Sequence, residues 1–238
     1  MKSIMIYGHD RCGTTTLMHC LSKNRVILGE FLTDAYIDDH YVKSIVTMNM
    51  ATKEFKIRNI DALAAIMKSN TVIAKCHLHW AQPEYFDFDG VKIRIHRKDI
   101  VETQLSKQIA MHTTVWNGSS MPEIEPFELD ADEFVKGLES RLDTTYDDQQ
   151  MDYILDYDID LPIIIEQSGY ALLSNSNKKI YNNKSTIVTN YELLTELALQ
   201  YSNDIVAINS KFEMKRIGLD SNLEYEKWTV TDNIDFYH

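Results

Sequence analysis

Cysteine is scarce in this chain, with three residues, Cys12, Cys20 and Cys76, at spacings that make no paired framework. A disulfide-stapled scaffold is excluded, and a reducing cytosol is the expected compartment. Cations are also in short supply: 24 Lys and Arg face 36 Asp and Glu, for a formal net charge of −12. Nucleic acid is therefore not an expected partner, because phosphate backbones demand clustered Lys and Arg. No segment approaches the roughly 20 apolar residues of a membrane span. Met1-Lys2-Ser3 runs straight into the first apolar run, which leaves no room for a signal peptide. Internal repeats and low-complexity linkers are missing too.

What is present suits a globular protein with a real core: 44% of residues are apolar and 25% charged. The 238 residues fit a single α/β domain over 1–238. In so acidic a chain, a local group of cations is informative. The densest comprises Lys92, Arg94, Arg97, Lys98 and Lys107, with His96 among them. Such a group beside a strand predicts a bound anion.

The periodicity predicts the elements. Ile4 to Tyr7 reads as a buried strand, and Thr14 to Leu21 as a helix. Arg25–Leu28, Thr71–Ala74 (ending at Lys75), Val91–Ile95 and Ser185–Thr189 read as further strands. Ile60–Ser69, Asp99–Met111, Asp130–Leu142 and Tyr191–Tyr201 read as helices. Much of 147–174 reads as acidic amphipathic helix, with the Asp-rich stretch 143–160 as solvated face and turn. Asp204–Ile208 reads as one more strand or an edge, and residues 32–58 give no clear period. Alternating strands and helices imply a parallel sheet. The expected architecture is α/β, a P-loop-like parallel sheet flanked by helices, with a helical insertion in the second half. Gly8, Lys75 and Arg97 then fall at the carboxyl ends of strands, where open sheets of this kind bind ligands.

Gly8 and Gly13 bracket a loop between the first strand and first helix. Their spacing is that of a nucleotide P-loop, Gly-x-x-x-x-Gly-Lys-Ser/Thr, but Thr14 stands where the Lys belongs and the cation sits inside the loop as Arg11. Backbone N–H groups at such a helix start have no intrahelical partner, and the dipole favours an anion. A triphosphatase lacking that Lys is disfavoured.

The run Arg11-Cys12-Gly13-Thr14-Thr15, continuing into Thr16, resembles the 5′-phosphosulfate-binding loop of sulfotransferases. Ala74-Lys75-Cys76-His77-Leu78 resembles the Lys-Thr-His-Leu element of the same family, in which the His is the base and the Lys lies near the transferring group. Arg97, with Ser106 nine residues on, is similar to the 3′-phosphate-binding element in its bacterial form; Thr103 is the alternative to Ser106. Tyr191-Glu192-Leu193-Leu194 resembles a strand-end Tyr-Glu-x-Leu whose Tyr approaches the nucleotide. Gly29-Glu30-Phe31 resembles the setting of a Glu base in some bacterial members, so His77 and Glu30 both stand as candidate bases. Two family features are missing: the aromatic that follows the Thr pair and stacks on adenine, and a Gly-rich basic C-terminal segment, for which only Lys215-Arg216-Ile217-Gly218 is available.

The resemblance implies a sulfotransferase that uses 3′-phosphoadenosine 5′-phosphosulfate, releases 3′,5′-adenosine bisphosphate, and sulfates a hydroxyl on a small molecule, sugar or peptide. It requires no metal. A His near neutral pKa suits removal of the acceptor's proton, and Lys75 suits charge developing on the bridging oxygen. His77 and His79, with His96 or His112, are the alternative metal ligands, but Cys and carboxylates at zinc spacing are missing. The rival functions are a P-loop nucleotide kinase and a nucleotide-binding module without turnover.

Overall fold

The computed structural model of the protein describes residues 2–22, 25–29, 46–49, 54–57, 61, 65, 71–78, 90–114, 124–143, 151–168 and 184–215. Strand β1 (Ile4–Gly8) is buried at every position. So are the residues of β5 (Val72–His77). Apolar runs buried on both faces are the mark of parallel strands. With β2 (Val26–Gly29), β6 (Val91–His96) and β7 (Tyr153–Asp156) they form a five-stranded, all-parallel sheet in the order β2-β5-β1-β6-β7. Within 32–58, β3 (Val46–Asn49) and β4 (Glu54–Ile57) pair antiparallel as a separate ribbon.

The sheet is flanked by helices. Ile4, Ile6, Ile73, Ile93 and Ile95 pack against Leu17, Met18 and Leu21 of α1 (Thr14–Leu21) and Leu161 and Ile164 of α4 (Asp160–Ser168). A second core joins Ile100, Leu105 and Ile109 of α2 (Ile100–Thr113) to Phe134 and Leu138 of α3 (Ala131–Leu142) and to Leu194 and Ala198 of α6 (Tyr191–Leu199). Asp99 and Asp130 cap α2 and α3, each accepting the N–H three residues on. Side chains alternate along a strand, so β6 gives Ile93 and Ile95 to the first core and turns Arg94 and His96 the other way. There His96 packs at a tilt against Phe212 of α7 (Ser202–Lys215), ring centres 4.3 Å apart, and its Nε2 lies 2.9 Å from Asn209 Oδ1. Among the described residues no helix is long and apolar enough to cross a membrane.

The connections create a switch point in the sheet. From β1 the chain leaves through α1 toward β2, on one side of the sheet; from neighbouring β6 it leaves toward β7, on the other. Adjacent strands whose chains depart in opposite directions leave a crevice at their carboxyl ends.

Three expectations are corrected. Tyr153–Asp156, expected within helix, is the edge strand β7. Of the acids around it, Asp152 and Asp158 are exposed as expected, but Asp156 and Asp160 are buried: Asp156 Oδ1 accepts the N–H groups of Asp158 and Ile159, Asp160 Oδ2 accepts that of Asp156, and Asp152 Oδ2 accepts the Lys92 N–H. Asp156 and Asp160 are each 1% exposed. Ser185–Thr189 is not a strand. Lys184–Ile187 is a single helical turn, α5, and Val188 makes only an isolated bridge with Phe127. Asn190 ends that pairing by accepting from Leu129 N and donating to Leu129 O. Asp204–Ile208 lies inside α7, because Ile205, Ile208 and Phe212 recur at helical rather than alternating spacing. Asp61 and Ala65 are helical, as expected for Ile60–Ser69; the rest of that segment lies outside the described residues.

Candidate functional site

The loop after β1 turns sharply. Arg11 and Gly13 both adopt positive φ, 66° and 82°. Only glycine holds the second position without strain. A Cβ on Gly13 would in addition come within 2.8 Å of Tyr157 and Leu161 side-chain carbons. At the strand end, a Cβ on Gly8 would meet Thr14 Cγ2 at 2.7 Å, so this glycine lets α1 start hard against β1. Gly13 is also the N-cap of α1 and brings no side-chain cap to Thr14, Thr15 and Thr16 in the first turn. An external anion completes such a helix start.

Three arginines lie beside this loop: Arg94 on β6, Arg97 just after it, and Arg141 in the last turn of α3. They are 5%, 8% and 6% exposed. All three line one crevice with His9, Cys12, His96, Ile100, Thr103 and Ile208. Arg97 Nη1 donates to the Arg11 carbonyl at 3.5 Å, and its guanidinium carbon stands 4.8 Å from the centre of the Tyr157 ring. Its buried Nε has no partner among the described residues. Arg141 donates from Nε to Gln104 Oε1 at 2.8 Å and from Nη1 to the Asp10 carbonyl at 3.2 Å. Both arginines thus meet neutral oxygens. Among the described residues neither pairs with a carboxylate. Burial pushes Arg94 down to about 10 and lowers Arg141 as well. Desolvated charge is costly unless opposite charge answers it, and among the described residues Asp10 is the carboxylate that raises Arg141.

Lys184 adds to the cluster. It is buried and pairs with Glu102. Burial first, then the charge of Arg97, pushes its ammonium down to about 8, with Asp99 raising it and Arg11 lowering it.

On the other side of the loop, Lys75 and His77 extend from the same face of β5, in register with Ile6 and Gly8. Lys75 Nζ donates to Thr15 Oγ1 at 2.6 Å. Thr15 occupies the hydroxyl position of the P-loop sequence pattern. His77 Nε2 lies 3.1 Å from Asp10 Oδ1, and Asp10 Oδ2 lies 2.7 Å from Lys107 Nζ of α2.

The structure therefore brings Arg11, Cys12, Gly13, Thr14, Thr15, Thr16, Lys75, His77 and Arg97 to one end of the sheet. Cys12 is buried in the crevice lining, where desolvation raises its thiol pKa against the lowering effect of Arg141 and Arg97. Ser106 is half-buried on α2 and does not line the crevice; Thr103, one turn earlier, does. Tyr191 packs at the margin of the second core. Glu30 and His79 lie outside the described residues. His77, His96 and His112 have separate settings, against Asp10, Asn209 and the stacked ring of Phe127. Among the described residues no three metal-ligating side chains gather.

Sequence reasoning missed Asp10, Arg141 and Lys184. Arg141 left a signal: Phe134, Leu138 and Arg141 follow at i, i+4 and i+7, so an arginine takes the next place on an apolar face. Comparison with models of protein families and with curated proteins finds no match to this chain.

Proposed function

We propose that the crevice binds the phosphate groups of an adenine nucleotide and that the chain is a sulfotransferase using 3′-phosphoadenosine 5′-phosphosulfate. One observation carries this reading: Arg97 and Arg141, both buried and without carboxylate partners among the described residues, meet the anion-type loop at the switch point of an acidic protein. The P-loop-like reading of the fold rests on the same loop, with its strand, paired glycines and helix start.

In this reading, Arg11 and the Gly13–Thr15 backbone hold the 5′-phosphosulfate, while Arg97 holds the 3′-phosphate. An acceptor hydroxyl forms a new bond to sulfur as the bond between sulfur and the bridging phosphate oxygen breaks. The leaving group is 3′,5′-adenosine bisphosphate. His77 takes the hydroxyl proton, and Asp10 stabilises the imidazolium. Lys75 neutralises charge on the leaving oxygen. Buried thiols at Cys12, Cys20 and Cys76 suit a reducing cytoplasm.

Lys75 also bears on the kinase alternative. Its bond to Thr15 competes with magnesium for the same hydroxyl, which favours metal-independent sulfuryl transfer. Calorimetric titration with 3′,5′-adenosine bisphosphate, 5′-AMP and ATP–Mg²⁺ tests the reading. Clear preference for the bisphosphate is expected. Preference for ATP–Mg²⁺ overturns the sulfotransferase in favour of a kinase, and binding of none leaves an interaction module. Arg97→Ala should weaken bisphosphate binding, whereas His77→Ala should reduce turnover and leave binding largely intact. Equal loss of binding in both variants contradicts the division of roles.

A further inference from the structure

We infer that Arg141, on α3, is the second cation of a dianion clamp with Arg97, and that the pair takes a phosphate monoester in the place where the sequence resemblance puts Arg97 with Ser106. This rests on the nucleotide-binding reading and deepens it.

The two arginines arrive from separate parts of the chain, one from the end of β6 and one from the last turn of α3, and both line the same crevice. Each is more than nine-tenths buried. Arg141 is fixed rather than mobile: Gln104 of α2 holds its Nε and the Asp10 carbonyl of the loop holds one terminal nitrogen. Gln104 lies directly over Gly137, where any Cβ would collide with its amide, so α2 and α3 approach closely at this point. A guanidinium carries five N–H donors. The two bonds described leave Arg141 donors for an incoming oxygen. Arg97 contributes the buried Nε that has no partner among the described residues.

Two buried like charges repel each other: burial lowers Arg141, nearby Cys12 and Asp10 raise it, and the Arg97 charge lowers it again. A dianion between them removes that repulsion and supplies the missing acceptors together. A phosphate monoester has the required charge and oxygens; a ribose hydroxyl has neither. Ser106 is placed elsewhere on α2, so its hydroxyl is not needed for this clamp.

The test is titration of wild type, Arg141→Gln and Ser106→Ala with 3′,5′-adenosine bisphosphate and with 5′-AMP. Arg141→Gln should lower bisphosphate affinity by about 10- to 100-fold, the effect of losing hydrogen bonds to a charged group. Affinity for 5′-AMP should change far less, and Ser106→Ala should bind both as wild type does. If Arg141→Gln does not fold, Arg141→Lys keeps the charge but loses the fork, and should still reduce the preference for the bisphosphate. Unchanged preference in a folded Arg141 variant, or a loss in Ser106→Ala equal to that of Arg141→Gln, overturns the clamp. A wild type with no preference for the bisphosphate overturns the nucleotide assignment itself, which separates the two failures.

Discussion

His96 illustrates how a residue in the crevice lining can tune stability without touching chemistry. Burial pushes its imidazole down to about 4; the hydrogen bond that His96 Nε2 donates to Asn209 Oδ1 raises it, and the nearby Arg94 lowers it again. Between pH 6.5 and 4 the unfolded chain therefore binds a proton at this position that the folded chain refuses. Stability rises with pH wherever the unfolded state holds more protons, so acidification through this window destabilises the fold. The His96 contribution amounts to about 2 kcal/mol between pH 7 and pH 5. In denaturant titrations at these two pH values, His96→Gln, which keeps an amide for Asn209, should lose about that much less than wild type. Identical losses would place the His96 proton elsewhere in the titration.

The scale of the element shows what sequence can and cannot reveal. α1 was legible at both ends, because its apolar spacing begins just after Gly13 and stops at Leu21. β7 was not, since its three apolar residues sit among acids that read as a solvated face. Those acids are backbone acceptors closing the β7–α4 turn, a role invisible without the fold. The loop motif was legible, as were Lys75 and His77. Arg141 and Asp10 were not, because their value lies in meeting across 131 residues of chain. The same loop makes a sharp prediction. Gly13→Ala adds a Cβ at φ 82° and drives it into Tyr157 and Leu161. A loss of about 1–3 kcal/mol in unfolding free energy is expected from strain at such a position. Bisphosphate affinity should fall with it, because Tyr157 also lies under Arg97. A variant as stable and as tightly binding as wild type would mean that the loop is not held in this conformation.

At the scale of the whole molecule, a chain of net charge −12 gathers Arg94, Arg97, Arg141 and Lys184 at the meeting of β1 and β6. On the proposed reading, the net negative charge disfavours anions at long range and the buried cations favour them at the crevice, so only a ligand with a close fit gains from entering. Binding to the folded state alone stabilises it by RT ln(1 + [L]/Kd), about 2.7 kcal/mol at a hundredfold excess over Kd. For a chain of this size that corresponds to a rise in Tm of roughly 5–10 °C. Thermal melts with 3′,5′-adenosine bisphosphate should rise by that amount at a hundredfold excess over Kd in wild type, climbing further with the logarithm of concentration, and should rise less at the same concentrations in Arg97→Ala. Sodium sulfate at matched ionic strength against chloride supplies the control, because sulfate also strengthens burial generally in any protein. A specific site gives a rise that begins near Kd and follows the logarithm of concentration, and Arg97→Ala removes it. The general effect grows in proportion to salt concentration, and both proteins share it. If only the shared rise is seen with bisphosphate and with sulfate, the buried arginines are not waiting for an anion, and their charge must be answered from within the chain.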